Sequence, residues 1–298
     1  MATQRRRLPY QGWRSRLRQV IAQHPVAFFL IMVYAINIAV ALPPALTRRD
    51  LLPFDQAPYD WLGHILGSAV PAFVVTWALS GRAGVRDLTG RSLRWRVGLR
   101  WYAVALLAMP VGTFLLASVF YGTQPLGLLV QKWTLLFTTV IPHLLLIILF
   151  SNVAEEIGWT GFFLDRMQKR FDPLRAAFIT SVPFALFHVP GYVVEEGVAT
   201  APILLGVLFI PQLASRFVVA WLYNSTNRSV LLVGIFHCAF NVTGAAFSRE
   251  LIPGPDEDVF VFTSGIVMVA AVVVCIVTKG RLAYESRASD PLARSTDS

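Results

Sequence analysis

Long apolar stretches separated by short polar segments dominate the chain. Several of these stretches run for about 20 residues, the length that a helix needs to cross a hydrocarbon core roughly 30 Å thick. The alternating apolar and polar pattern of an outer-membrane barrel is absent, which leaves a helical bundle as the spanning architecture. We therefore predict an all-α, polytopic membrane bundle of about eight transmembrane helices. The predicted spans are 26–46, 61–79, 101–121, 133–164, 176–190, 202–224, 229–247 and 259–278.

Basic residues alternate with acidic ones from loop to loop, and this alternation predicts the orientation. Basic residues lie before the first span, over 82–100, over 166–175, at Arg228 and from Lys279 onward, whereas the intervening loops are acidic. Because cytoplasmic loops carry the excess of Lys and Arg, both termini are predicted to be cytoplasmic. The organisation follows: a basic N-terminal segment (1–25), a membrane domain (26–280) with its motifs in 133–243, and a cytoplasmic tail (281–298).

Composition supports this interpretation and narrows the partners. Hydrophobic residues make up 55% of the 298 residues and charged residues 14%, so lipid must be the solvent for much of the chain. The net charge of +9 lies in loops beside apolar segments, without a nucleic-acid recognition motif, so no nucleic-acid partner is predicted. Of the 26 basic residues, 23 are arginine, which together with the high alanine content indicates a GC-rich bacterial genome. We therefore expect a multi-pass protein of a bacterial plasma membrane.

Two further features of the sequence concern the cysteines and the longest basic segment. Cys238 and Cys275 both lie inside apolar segments, which excludes a disulfide framework and a cysteine-based zinc site. The basic segment 81–100 is predicted to be an interfacial amphipathic helix whose arginines, Arg91 among them, face lipid headgroups.

Several polar side chains fall inside the predicted spans, where they are costly and therefore indicate function. Helical rise places them in the middle and cytoplasmic half of the bilayer. These residues are Glu155, Glu156, His188, Arg216, His237 and Asn241. Their convergence predicts a common site.

The spacing of these residues suits hydrolysis. Residues four apart share a helix face, which pairs Glu156 with Thr160, Phe184 with His188 and His237 with Asn241. A neighbouring glutamate points about 100° away, so one of the two carboxylates is aimed at the site and the other braces or pairs. A carboxylate can deprotonate water, imidazoles can position that water or hold a metal, and Asn with His can stabilise an oxyanion.

Other hydrolytic mechanisms lack their motifs. No serine occupies a Gly-x-Ser-x-Gly setting, and no His-Glu-x-x-His zinc helix occurs. These absences argue against serine-type membrane proteases and site-2-type metalloproteases.

Three segments, EEIGWTGF (155–162), FALFH (184–188) and HCAFN (237–241), resemble the motifs of the CPBP family of CAAX-processing and bacteriocin-processing intramembrane proteases, also called the Abi family. The similarity covers roughly 133–243, with the motifs in the family's order. The resemblance implies an intramembrane endopeptidase of the prenyl-protease type acting on a peptide or membrane-protein substrate. It makes Glu155 the base that activates water, Glu156 its support, His188 a ligand of that water or of a metal, and His237 with Asn241 the oxyanion-stabilising pair.

The resemblance leaves the metal open. Zinc is one alternative, with His188 and His237 as candidate ligands, and a metal-free glutamate protease is the other. Phe184 is expected to pack at the floor of the site.

One position departs from the family pattern. The first motif often carries an arginine where this chain has Thr160, and we expect Arg216 to replace it as ion-pair partner of the glutamates. The alternatives are that Arg216 snorkels toward the interface or bonds backbone carbonyls freed by Pro211.

Two other classes of function remain open at this stage. A non-catalytic membrane scaffold of the same fold is one, because Thr160 could mark lost activity. A proton-coupled transporter is the other, although the matching broken helices of inverted repeats are not found.

Overall fold

The structure, a computed structural model, describes residues 10–47, 63, 65–147, 151–244 and 248–285. The α-helices are α1 (Tyr10–Gln23), α2 (Pro25–Thr47), α3 (Val70–Ser92), α4 (Leu99–Tyr121), α5 (Gln124–Gln131), α6 (Ile141–Ile147), α7 (Val153–Glu156), α8 (Asp165–Met167), α9 (Pro173–Phe187), α10 (Val189–Glu196), α11 (Ala201–Ser225), α12 (Val230–Val242), α13 (Ser248–Leu251) and α14 (Asp256–Val277). The π-helical segments include Ile65–Ala69, Leu136–Val140 and Ile157–Leu164.

The predicted all-α membrane bundle is confirmed. No strand occurs among the described residues, and six helices there are long and apolar enough to cross a membrane. A pair bent by 74°, Gln124–Gln131 with Leu136–Leu146, would make a seventh span. The total of eight spans and the cytoplasmic placement of the termini stay predictions.

The first and third motif segments lie in the predicted spans 133–164 and 229–247. In the span 133–164, the structure describes the π-helical turn Leu136–Val140 and α6 and, beyond positions 148–150, the helical run 153–167, here called the motif helix. It consists of α7, the π-helical segment Ile157–Leu164 and α8. The span 229–247 contains α12, an apolar helix of only 13 residues.

Parts of several predictions lie outside the described residues. They are the N-terminal arginines Arg5, Arg6 and Arg7, positions 61, 62 and 64 of the second span, positions 148–150 of the fourth, positions 245–247 of the seventh, and the tail from 286 onward.

An aromatic cluster on the motif helix forms the centre of the bundle. Trp159 is fully buried, and its ring makes edge contacts with Phe29 of α2 and with Phe184 and Phe187 of α9. Apolar side chains also cover the outside of the bundle; Ile276, for example, is 70% exposed. Apolar residues on both the inside and the outside are what a lipid environment permits, since exposed patches of this kind are rare on soluble monomers.

Glycines let two helices approach the motif helix closely. A Cβ built on Gly234 of α12 would lie 2.8 Å from the Cα of Val153, and one on Gly158 would lie 2.7 Å from the carbonyl oxygen of Ser68. Small residues at helix interfaces permit such backbone contact in membrane bundles. The motif helix is therefore held tightly on two sides.

The basic segment 81–100 begins at a kink in α3, where Gly81 has the non-helical angles φ 57° and ψ −147°. The helix beyond the kink ends at Ser92, and Arg91 in it is only 5% exposed. Its guanidinium donates to the carbonyl of Gly161 at 2.8 Å and to the hydroxyl of Tyr223 at 2.6 Å. The prediction that Arg91 faces lipid headgroups is wrong, because these buried acceptors are available to it inside the bundle.

Candidate active site

A buried ion-pair network is centred on Glu156, at the end of α7. Nη1 of Arg216 donates to Oε1 of Glu156 at 2.8 Å, and Nδ1 of His237 lies 3.0 Å from the same oxygen. Thr160 donates to the other carboxylate oxygen, and its own hydroxyl oxygen accepts from Nη2 of Arg216 at 2.7 Å. The network joins the motif helix to α11 and α12.

Arg216 is where the sequence analysis expected an ion-pair partner. Its side chain is 1% exposed and pairs with Glu156, whose side chain is fully buried. The guanidinium also lies 4.8 Å above the ring of Phe184, within cation–π distance. The structure thus contains the predicted ion pair in place of interfacial snorkelling.

His188 lies at the break between α9 and α10, where Pro190 follows. Its Nδ1 lies 2.9 Å from the carbonyl oxygen of Phe184, one turn earlier. Helix α2 holds this break from behind: Tyr34 donates to the carbonyl of Pro183 at 2.9 Å, and Asn37 donates to that of Phe187 at 2.9 Å. Backbone carbonyls near the break are thereby satisfied in the bundle, as a membrane interior requires.

Phe184 brings the motif residues together. Its ring centroid lies 5.0 Å from that of His188 and 5.9 Å from that of His237, both in edge-to-face arrangement. The side chain is 4% exposed. The predicted packing role at the floor of the site agrees with this geometry.

These residues surround one cavity. Its volume of about 60 Å³ exceeds the roughly 10–15 Å³ that one water needs, so several waters fit. The lining combines the polar groups of three motifs with apolar walls. The lining residues are Glu156, Phe184, His188, Gln212, Ser215, Arg216, Val219, Phe236, His237, Phe240 and Asn241.

Glu155 and Asn241 complete the set of predicted site residues. Asn241 lines the cavity and donates to Oδ1 of Asn152 at 3.4 Å. Glu155 is 1% exposed and does not belong to the lining of this cavity as the described residues form it. Of the two adjacent carboxylates, the structure turns Glu156 toward the common centre.

Asn152, Gln212 and Tyr192 are polar residues at the site that were not predicted from the sequence. Asn152 lies four residues before Glu156 on the same helix face, and Gln212 lies four residues before Arg216. Tyr192 stacks on His188, with ring centroids 6.1 Å apart, and Nε2 of Gln212 donates to its hydroxyl at 3.3 Å. The i, i+4 rule applied to neutral amides would have found Asn152 and Gln212.

The donor set does not fit a zinc site. Catalytic zinc ordinarily has three protein ligands. Among the described residues, no group of three or more His, Cys, Asp or Glu side chains converges as a metal site would require. The two candidate ligands, His188 and His237, face a cavity whose buried carboxylate is already engaged by Arg216.

Comparison with known proteins agrees with the motif geometry. Residues 137–243 match the profile of the family described as type II CAAX prenyl endopeptidase Rce1-like. The CAAX prenyl protease 2 of Methanococcus maripaludis is 24% identical over 143 residues, which are 46% of this chain and 51% of that protein. The resemblance to the CAAX-protease family that the three motifs indicated is therefore confirmed over residues 137–243.

The family match covers the part of the chain that builds the cavity. All three motifs lie in the matched region, as do Arg216 and Gln212 of α11. The apolar helices, together with the match to a family of membrane proteases, make the chain a multi-pass membrane protein. The chain spans about half the length of the curated relative it matches.

Proposed function

We propose that the protein is an intramembrane endopeptidase that hydrolyses a peptide bond with a glutamate-activated water. One observation supports this most directly: at least one polar side chain from each of the three motifs (Glu156, His188, and His237 with Asn241) lines a single small cavity that can hold water inside an apolar bundle. A charge network fixes one wall of that cavity. Polar groups held in place in a site shielded from bulk water stabilise a developing charge far more strongly than they would in water.

The contacts divide the two glutamates by role. Both oxygens of Glu156 are already engaged by Arg216, Thr160 and His237, so we assign Glu156 to holding the site together. The neighbouring Glu155 is then our candidate for the base that takes the proton of the attacking water; because it does not line the cavity, this role requires it to come within hydrogen-bond reach of the water when substrate binds. This is the role that the family resemblance gives it.

The remaining polar groups would complete the reaction. His188, fixed at the helix break, would orient the water. His237 and Asn241, on one face of α12, would donate to the oxyanion that forms when water adds to the peptide carbonyl. The proton held by the base would then pass to the leaving amine, which restores the carboxylate.

The substrate would be a peptide or a membrane protein that reaches the site from the bilayer. The relative from Methanococcus maripaludis is named a CAAX prenyl protease, which suggests a prenylated C-terminal peptide as the first substrate class to try. In a bacterium, peptides without a prenyl group are equally suitable candidates. We further propose the plasma membrane as the location.

The ion pair weakens the case for a non-catalytic scaffold. That alternative rested on Thr160 replacing the motif arginine, yet Arg216 supplies a cation to the same carboxylate. The transporter alternative gains no support from the cavity, because the cavity is small and lies at the motif residues that the protease resemblance predicted.

The test is cleavage of a quenched fluorescent peptide library, with prenylated members, by purified protein in detergent. General acid–base catalysis contributes roughly 10²–10⁴-fold, so Glu155→Gln should lower the rate by about a thousandfold. Glu257→Gln changes an exposed glutamate of α14 and serves as the matched control. A chelator added to the wild type decides whether a metal takes part.

Two outcomes would contradict the proposal. If Glu155→Gln is folded and cleaves as fast as the control, Glu155 is not the base. If the folded wild type cleaves no peptide in the library, the peptidase function itself fails.

A further inference from the structure

Helix α11 presents two further polar atoms at the cavity wall. Oε1 of Gln212 and Nε of Arg216 are both buried, and neither has a hydrogen-bond partner among the residues that the structure describes. Both side chains line the cavity. One atom is an acceptor and the other a donor, on residues one helical turn, or about 6 Å of rise, apart.

The partners that these side chains do have fix their positions. Nη1 and Nη2 of Arg216 are held by Glu156 and Thr160, which leaves Nε as its third kind of donor. Nε2 of Gln212 is held by the hydroxyl of Tyr192. Each side chain is thus anchored at one end through partners on other helices, and its remaining polar atom is buried at the cavity.

A buried donor and a buried acceptor match the polar groups of one peptide residue. In an extended chain, the N–H and C=O of a residue point to the same side, as they do in hydrogen-bonded pairs of antiparallel sheets. Main-chain hydrogen bonds of this kind give affinity without reading the side-chain sequence.

We propose that Gln212 and Arg216 form a main-chain clamp for the substrate, in which Oε1 of Gln212 accepts an N–H and Nε–H of Arg216 donates to the C=O of the same residue. The clamp rests on the proposed peptidase function and adds to it a substrate conformation. The peptide lies extended along α11 beside the Glu156 network, and Gln212 is a substrate-binding residue.

The test is an ester scan of the peptide that the wild type cleaves fastest in the library. Each amide other than the scissile one is replaced in turn by an ester, which removes one N–H donor. At one position, the ester should lower the wild-type kcat/KM about tenfold, mainly through KM, because one hydrogen bond of ordinary strength is lost.

The matched variants separate binding from positioning. In Gln212→Met, the same ester should cost almost nothing, because the acceptor is already absent. Tyr192→Phe removes the hydroxyl that anchors Gln212 but keeps the acceptor, so the ester penalty should persist there. If Gln212 only positioned Tyr192 and His188, both variants would lower kcat and every ester would cost the same as in the wild type.

The outcomes distinguish the clamp from the proposed function. Cleavage by the wild type with equal ester penalties in Gln212→Met overturns the clamp and leaves the peptidase function standing. Absence of cleavage by the wild type overturns both. Folding is checked by size exclusion in detergent; if Gln212→Met aggregates, Gln212→Leu replaces it, and a flat ester profile in the wild type overturns the clamp by itself.

Discussion

At the scale of single residues, the site depends on a cation that comes from a different helix. Arg216 of α11 pairs with Glu156 and also bonds the hydroxyl of Thr160, which occupies the position where the family motif often has arginine. Breaking a buried pair by removing one partner typically costs about 3–5 kcal/mol, because the other charge stays buried and uncompensated. We therefore expect that removing the charge of Arg216 disrupts the network, and that an arginine placed at position 160 can partly replace it.

Moving the arginine tests this expectation. Arg216→Gln should lower the peptide cleavage rate at least a hundredfold and lower the melting temperature in detergent, because Glu156 loses its counter-charge. Adding Thr160→Arg should restore part of both, since the side chain at position 160 already contacts Glu156.

The control for the relocation is an ion pair at the surface. Arg249 lies 3.7 Å from Asp256, and both side chains are more than half exposed. Arg249→Gln should change stability by about 0–1 kcal/mol. If the double variant Arg216→Gln with Thr160→Arg is no more active or stable than Arg216→Gln alone, the cation must come from α11.

The charged and imidazole residues of the site were easier to find from sequence than two of its amides. Glu156, Arg216 and His237 are ionisable and lie in apolar runs, where their cost attracts attention. Asn152 and Gln212 are neutral amides, which bundles also use as ordinary interhelical hydrogen-bond groups, so their position alone did not distinguish them. The sequence also could not choose which glutamate faces the cavity, because that depends on how the motif helix is rotated by its neighbours.

At the scale of helices, straight spans could be predicted and broken ones could not. Apolar length alone located α2, α4, α11 and α14, because hydrophobic thickness fixes how many residues a span needs. The bend of 74° lies between Gln131 and Leu136, where the predicted fourth span begins, so apolar length alone did not join the two bent arms. Arg91 makes the same point, since its acceptors Gly161 and Tyr223 lie on other helices.

The close contact between α12 and the motif helix gives a prediction at this scale. Gly234→Ala would place a methyl group 2.8 Å from the Cα of Val153, so the two helices must separate. Because His237 lies less than one turn further along α12, its 3.0 Å approach to Glu156 should be lost as well. We expect a lower melting temperature and at least a tenfold lower cleavage rate.

The matched control is Gly206→Ala in α11. Gly206 is exposed, and a Cβ there meets nothing within 4 Å. Alanine is the better helix former, by about 1 kcal/mol, so this variant should be as stable as the wild type or more stable. Equal melting temperatures for the two variants would show that the contact at Gly234 does not hold the helices together.

At the scale of the whole molecule, the cavity exists only when the bundle is assembled. Its lining comes from the motif helix, α9, α11 and α12, which are separated by loops along the chain. Neither half of the motif region could form the site alone. When the protein is heated in detergent, the midpoint temperature of unfolding should therefore equal the midpoint temperature at which activity is lost.

The orientation of the bundle gives a prediction of its own. The alternation of basic and acidic loops predicts that both termini are cytoplasmic. A green fluorescent protein fused to either terminus in a bacterial host should fluoresce, and an alkaline phosphatase fused there should be inactive. The same reporters inserted after Gly197, in a loop predicted to lie outside, should give the opposite pattern; a phosphatase active at the C-terminus would require an odd number of spans.

The ion pair between α11 and the motif helix bears on how such a site can change during evolution. When one charge can be supplied from either of two helices, the arginine can migrate between positions 160 and 216 through an intermediate that carries both. Natural variation at the two positions would then be correlated, although neither is invariant by itself. Such sites would then be recognised by two positions that are close in the fold but distant in the sequence. A search for a contiguous motif would miss the proteins that carry the arginine at the second position.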